Sequence, residues 1–235
     1  MFRGDHPDLR SALSRALAIS RELRHPRAGS EHLLLALSAA DGPVAAVLGR
    51  HGATAAAVLE AVRRAAPAGA GTAADRAVLA PLGVDADRLL SGLSPAVIDR
   101  PAAREPLLPL GAAAARRRCA RMSPPLGLDA QAVYEASLRL ALARRDHEHR
   151  TEHLALALVA FDPGAQWALD AAGARPTVLL ADLAAVFPPP KRNIVLQAER
   201  LIASRSRYDR VVRRYQRTAG RTATPSCARA ALITG

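Results

Sequence analysis

Two Glu-His pairs are the first residues in this sequence with a chemical capability worth weighing. Glu31-His32 follows Ser30 and Glu152-His153 follows Thr151, and each pair opens an apolar run, Leu33-Leu34-Leu35-Ala36-Leu37 and Leu154-Ala155-Leu156-Ala157-Leu158. A carboxylate in the first turn of a helix complements the dipole and the free N–H groups found there. The same carboxylate can pair with a guanidinium group on a ligand. Ser30, Glu31, Thr151 and Glu152 are therefore the candidate ligand- or partner-binding residues, with Ser30 and Thr151 expected as N-caps. The identical placement of His32 and His153 points to a structural hydrogen bond rather than to catalysis.

Other constellations are weaker. Asp146-His147-Glu148-His149 with Glu152-His153 sets two imidazoles four residues apart, a spacing that can share an ion on a helix. A helix starting at Thr151 leaves His149 in the preceding loop, and the other segment has Arg27-Ala28 instead, so a solvated connector is expected and no metal ligand is assigned. There is no G-x-S-x-G elbow, and neither Cys119 nor Cys227 adjoins a histidine that would activate it. Gly69-Ala70-Gly71-Thr72 lacks the strand and lysine of a phosphate loop and reads as a flexible linker, and no G-x-x-x-x-G-K-[ST] occurs. The expectation is a protein without catalytic residues or cofactor, not an enzyme.

The elements that position these residues repeat. A shift of 121 residues lays Asp8–Val62 over Asp129–Leu183 without a gap, and 15 of the 55 positions are identical. Each copy parses into four short helices. In the first, Leu9, Ala12, Leu13, Ala16, Leu17 and Ser20 form a stripe at helical spacing from about Asp8 to Leu23, a second helix begins at Ser30, Pro43 opens a third that ends near Gly52, and Thr54 caps a fourth. The reading is all-α, with a repeat at 8–66, a linker with one or two short helices at 67–128, a second repeat at 129–187, and a Pro-rich spacer with a basic tail at 188–235. A high Ala and Leu content and few aromatics agree with helix.

The net charge of +12 belongs mostly to the tail: residues 188–235 hold eleven Lys/Arg against Glu199 and Asp209, a net of +9, which leaves +3 for residues 1–187. Arg205, Arg207, Arg210, Arg213 and Arg214 interleave with Tyr208 and Tyr215 on a stretch, 191–218, that reads as an amphipathic helix. Such a surface can meet phosphates in nucleic acid or an acidic partner. The N-terminus lacks the apolar core of a secretory signal and no apolar run approaches the ~18 residues of a membrane span, so a cytoplasmic protein with both cysteines free is expected.

Leu23, His25, Gly29-Ser30-Glu31-His32-Leu33-Leu34-Leu35-Ala36-Leu37, Val47-Leu48 and Gly52 resemble the Clp N-terminal repeat, usually read as L-G-H-x-x-I-G-T-E-H-L-L-L-G-L followed by A-x-x-V-L-x-x-x-G. The resemblance covers about 120 residues in two copies. It implies a pseudo-twofold domain of eight helices that binds substrates, peptides and adaptors for a Clp-family (ClpC-like) unfoldase, here without the ATPase modules. It thereby implies an adaptor, or a decoy that competes for peptides, adaptors or natural-product ligands. The alternative is a nucleic-acid-associated regulator acting through the basic tail. The chain departs from the family where Asp5-His6 and Leu126-Gly127 replace an aromatic residue and Thr that, in some relatives, help bind phosphorylated arginine together with the Glu of the motif.

Overall fold

The computed structural model describes residues 3–91 and 123–189. Within them the chain is helical, with α1 (Pro7–Glu22), α2 (Ser30–Ser38), α3 (Pro43–Arg50), α4 (Ala55–Ala65), α5 (Ala70–Leu79), a 3₁₀ turn at Ala80–Leu82, α6 (Ala86–Ser91), α7 (Leu128–Ala143), α8 (Thr151–Phe161), α9 (Pro163–Ala171) and α10 (Pro176–Val186). No strand longer than an isolated bridge occurs among the described residues. The sequence segments 92–122 and 190–235, with Cys119, Cys227 and the tail arginines Arg205, Arg207, Arg210, Arg213 and Arg214, lie outside the described residues.

Helices α1–α4 and α7–α10 follow one plan. Its backbone recurs at the 121-residue interval: Gly52 and Gly173 both end a helix at φ +84°, and two non-glycine residues, Arg24 and Arg145, take the left-handed conformation at φ 56° and 58°. The third helix of each copy opens on or next to a proline, and Thr54 Oγ1 caps α4 by accepting the Ala57 amide at 3.3 Å.

The central helices of the two copies are α2 and α8. From Ser30 to Leu37 every residue of α2 is buried, as is every residue of α8 from His153 to Val159. A helix apolar on all sides needs neighbours on all sides. Helix α2 has α1, α3 and α4 around it, and α8 has α7, α9 and α10. Small residues on α1, Ala12, Ala16 and Ser20, let it lie close to α2, with Leu9 filling the core and Leu13 and Leu17 at its edge.

Two corrections to the sequence reading concern helix starts and the linker. Ser30 and Thr151 are the first helical residues, not caps; Gly29 and Arg150 stand at the cap positions, because the third residue of each helix, His32 or His153, returns its ring to the cap amide. Gly69-Ala70-Gly71-Thr72 is no loose linker either. Residues 70–72 form the first turn of α5, Ala70 is fully buried, and α5 lies against α9 and α4. The close approach needs glycine on both sides: a Cβ on Gly164 would sit 2.8 Å from the Gly71 nitrogen.

The two copies also exchange their lead-in segments. His6 N–H donates to His149 O (2.8 Å) and His149 N–H to Gly4 O (2.9 Å), while Gly127 N–H donates to Ala28 O (2.9 Å) and Ala28 N–H to Pro125 O (3.0 Å). These four bonds are related in pairs by the same shift of 121.

Candidate functional site

At both helix starts a histidine closes the cap. His32 Nδ1 accepts the Gly29 amide at 3.0 Å, and His153 Nδ1 accepts the Arg150 amide at 3.0 Å. The far nitrogens differ in partner: His32 Nε2 meets His25 Nδ1 at 2.9 Å, whereas His153 Nε2 meets Asp146 Oδ2 at 2.7 Å, His25 and Asp146 being equivalent positions. Both histidines are structural, in agreement with their duplicated placement.

The glutamates before them have separate fates. Glu31 is buried, and two further carboxyls from the second copy, Asp129 at the start of α7 and Asp162 at the turn into α9, come up to it across the seam. Asp129 Oδ2 accepts the Ser30 amide at 2.8 Å, and Asp162 Oδ1 caps α9 by accepting the Ala165 amide at 2.6 Å. The Ser30 hydroxyl lies near enough to both aspartates to stabilise their charge, yet it meets hydrogen-bond geometry with neither. Burial raises the affinity of Asp129 for its proton, and the charge of Glu31 adds to this. Burial with the charge of Asp129 pushes Asp162 up to about 7. Glu31 itself is also pushed up by burial, but the His32 ring outweighs this and holds it below its ordinary value. Helix α5 closes the site from outside: a Cβ at Gly69 would stand 3.5 Å from Glu31 Oε1.

At the second copy no helix among the described residues lies over the equivalent glutamate. Glu152 is half-buried and, with Asp146, His147, Glu148 and Arg150, lines an open cleft of about 200 Å³. Glu148 is held low by Arg150, which bonds it at 2.9 Å, and Asp146 serves His153 and Arg144. Glu152 has no such partner among the described residues. The four residues singled out from the sequence thus fall into two unlike sites, Ser30 and Glu31 closed, Thr151 and Glu152 half-exposed.

The expected solvated connector at 146–149 is corrected at His149, which is wholly buried. Its Nδ1 meets Asp5 Oδ1 at 2.9 Å and its Nε2 meets Ser137 Oγ at 2.8 Å, while Tyr134 donates its hydroxyl to the other Asp5 oxygen. Burial pushes Asp5 up, but the bonds from His149 and Tyr134 bring it below its ordinary value; burial also lowers His149, which the Asp5 carboxylate only partly offsets. This is the order of atoms of a nucleophilic triad, yet Ser137 and His149 are both fully buried, and the network ties the N-terminal segment to the second copy. Asp5 and His149 were missed because their partners lie 129 and 144 residues away in the chain.

His25, Glu31 and His32 bring possible metal-ligand atoms within 4.8 Å of one another. Glu31 faces the Nδ1 edge of His32, which already takes the Gly29 amide, and His25 faces the opposite Nε2 edge. The three do not converge on one point; His25 and His32 share a hydrogen bond, and Glu31 lies 3.2 Å from the other nitrogen of His32.

Among the described residues no single helix is long and apolar enough to cross a membrane. In comparisons with known proteins, residues 7–91 match the family model described as the Clp repeat (R) N-terminal domain. The match takes in the first copy with α5 and α6. No curated protein matches the chain.

Proposed function

We propose that this chain, whose residues 7–91 match the Clp repeat N-terminal domain, is a non-enzymatic protein- and peptide-binding module serving Clp-type proteolysis, as an adaptor or as a decoy. The observation that carries this reading is the inequality of the two helix starts. Glu31 is buried beside the start of α5, whereas Glu152 has a carboxylate with no partner among the described residues, in an open cleft beside the amide-rich start of α8. A peptide bearing a guanidinium group suits that carboxylate, since the fork of an arginine side chain matches its two oxygens. The partners that fit are arginine-containing peptides, a Clp unfoldase, and the adaptors or substrates of that unfoldase.

The test is calorimetric binding of arginine-containing peptides and of a purified Clp unfoldase to the wild-type chain and to Glu152→Gln. The expected result is measurable binding that falls on the order of tenfold in the variant, as for loss of one charge-assisted hydrogen bond. Absence of binding to both probes would sink the proposal. A Clp degradation assay then separates the two roles, with stimulation marking an adaptor and inhibition a decoy.

A further inference from the structure

We propose that α5 is a proton-operated lid: its closure over Glu31, Asp129 and Asp162 requires one proton among these carboxyls, and loss of that proton releases the helix. Three acids meet at the seam, Glu31 and Asp162 buried and Asp129 partly so, and no arginine or lysine among the described residues forms an ion pair with Asp129 or Asp162. The groups that face Asp162 are few. Helix α2 brings Glu31, His32 and the Ser30 hydroxyl, α7 brings Asp129, and α9 gives only the Ala165 amide. Helix α5 contributes the uncharged backbone of Ala70 and Gly71 beside Gly164; its own Asp75 and Arg76 lie a turn further on, and Arg64 of α4 is engaged by the Ala171 carbonyl.

Two or three ionised carboxylates in such a place repel one another with little solvent to screen them. A proton on Asp162 relieves this and gives the orphaned Ser30 Oγ a role: it accepts from the protonated Asp162 and donates toward Asp129, whose Oδ2 already holds the Ser30 amide. The lid rests on this arrangement because Gly69, the hinge between α4 and α5 at φ +89°, passes beside Glu31. When Asp162 ionises, water is the cheapest source of stabilisation, and α5 is the element in its way. The proposal rests on the seam alone and holds whether or not the Glu152 cleft binds peptides.

The direction follows from linkage. The closed chain holds the Asp162 proton to about 7, and an open lid, which wets this carboxyl, lets its proton affinity fall toward the ordinary value of 3.8. Closure is therefore favoured most below pH 4, weakens steadily as pH rises through the interval to about 7, and is level above it. The experiment measures hydrogen exchange of α5 amides, corrected for intrinsic pH dependence, and the fluorescence of Trp167 on α9, in the full chain between pH 4.5 and 8.5. The wild type should lose α5 protection across this interval, and Asp162→Asn, which keeps the acceptor for the Ala165 amide, should hold protection level. The ratio of opening constants between the two chains should change on the order of a hundred- to a thousandfold over the full range. Asp41→Asn, at the equivalent but exposed position, should follow the wild type. A variant slope equal to that of the wild type, or wild-type protection that does not fall between pH 5 and 8, would overturn the proposal. The second outcome needs no variant to fold.

Discussion

Asp41 and Asp162 stand 121 residues apart at the same place in the two repeats, yet Asp41 lies in solvent and Asp162 is buried with its carboxyl on the Ala165 amide. The contrast is not confined to this pair. Asp8 is three-quarters exposed and Asp129 only partly exposed in the seam; Glu152 reaches the surface and Glu31 does not. The same three acids occur twice, and among the described residues a helix, α5, lies over only the set around Glu31.

Glu152→Gln should weaken binding of an arginine-containing peptide on the order of tenfold, whereas Glu31→Gln should leave it within about twofold. Calorimetry on both variants decides this. Equal losses would mean that the covered glutamate is reached by ligand, and no loss in either would place the recognition surface elsewhere.

Removing the Glu31 charge has a separate effect inside the seam. That charge is one of the causes that raise Asp129 and Asp162. In Glu31→Gln the fall of stability with rising pH should therefore end at a lower pH and be smaller in total than in the wild type, as read from urea midpoints at a series of pH values.

The Asp5–His149 pair gives pH dependence of opposite sign. His149 in the folded chain binds its proton less readily than in the unfolded chain, so this part of the stability is present above about pH 6.5 and is lost as pH falls below it. Asp5→Ala leaves a buried imidazole N–H and the Tyr134 hydroxyl without their acceptor, at a cost of about 1–3 kcal/mol. Asp5→Asn keeps an acceptor and should cost less. Urea titration at pH 7 measures both.

Gly164→Val should push α5 off α9, since even a Cβ there meets the Gly71 backbone. The expected loss is about 1–3 kcal/mol, together with loss of the α5 exchange protection. Leu34→Asn or Leu156→Asn, in the central helices, should cost more, about 3–5 kcal/mol, from lost packing and an unpaired amide. Thermal melts followed by circular dichroism rank the three.

The parts legible in the sequence were those written locally. The Ser30-to-Leu37 run announces a buried helix, Thr54 caps α4, and the 121-residue shift exposes the duplicated plan in the sequence itself. The seam was not legible, because Glu31, Asp129 and Asp162 are brought together by packing of two repeats and each alone is an ordinary helix-start acid. Helix α5 was missed for a related reason: Gly69 and Gly71 read as punctuation, while their use is to let one backbone rest against another at Gly164. His149 looks solvated in the sequence because it stands in a run of polar and charged residues, although Asp146 and Glu148 beside it are themselves only partly exposed.

The exchanged lead-in segments make each half incomplete by itself. Residues 4–6 find their backbone partners at position 149, and residues 125–127 find theirs at position 28. A gene fragment encoding one half would yield a chain with one dangling end and one vacant edge, whereas two such fragments supplied together have what each other lacks. Two identical halves trading these ends would rebuild the arrangement as a homodimer, so the chain has the form of an ancestral dimer joined end to end, with α5 and α6 lying in the join.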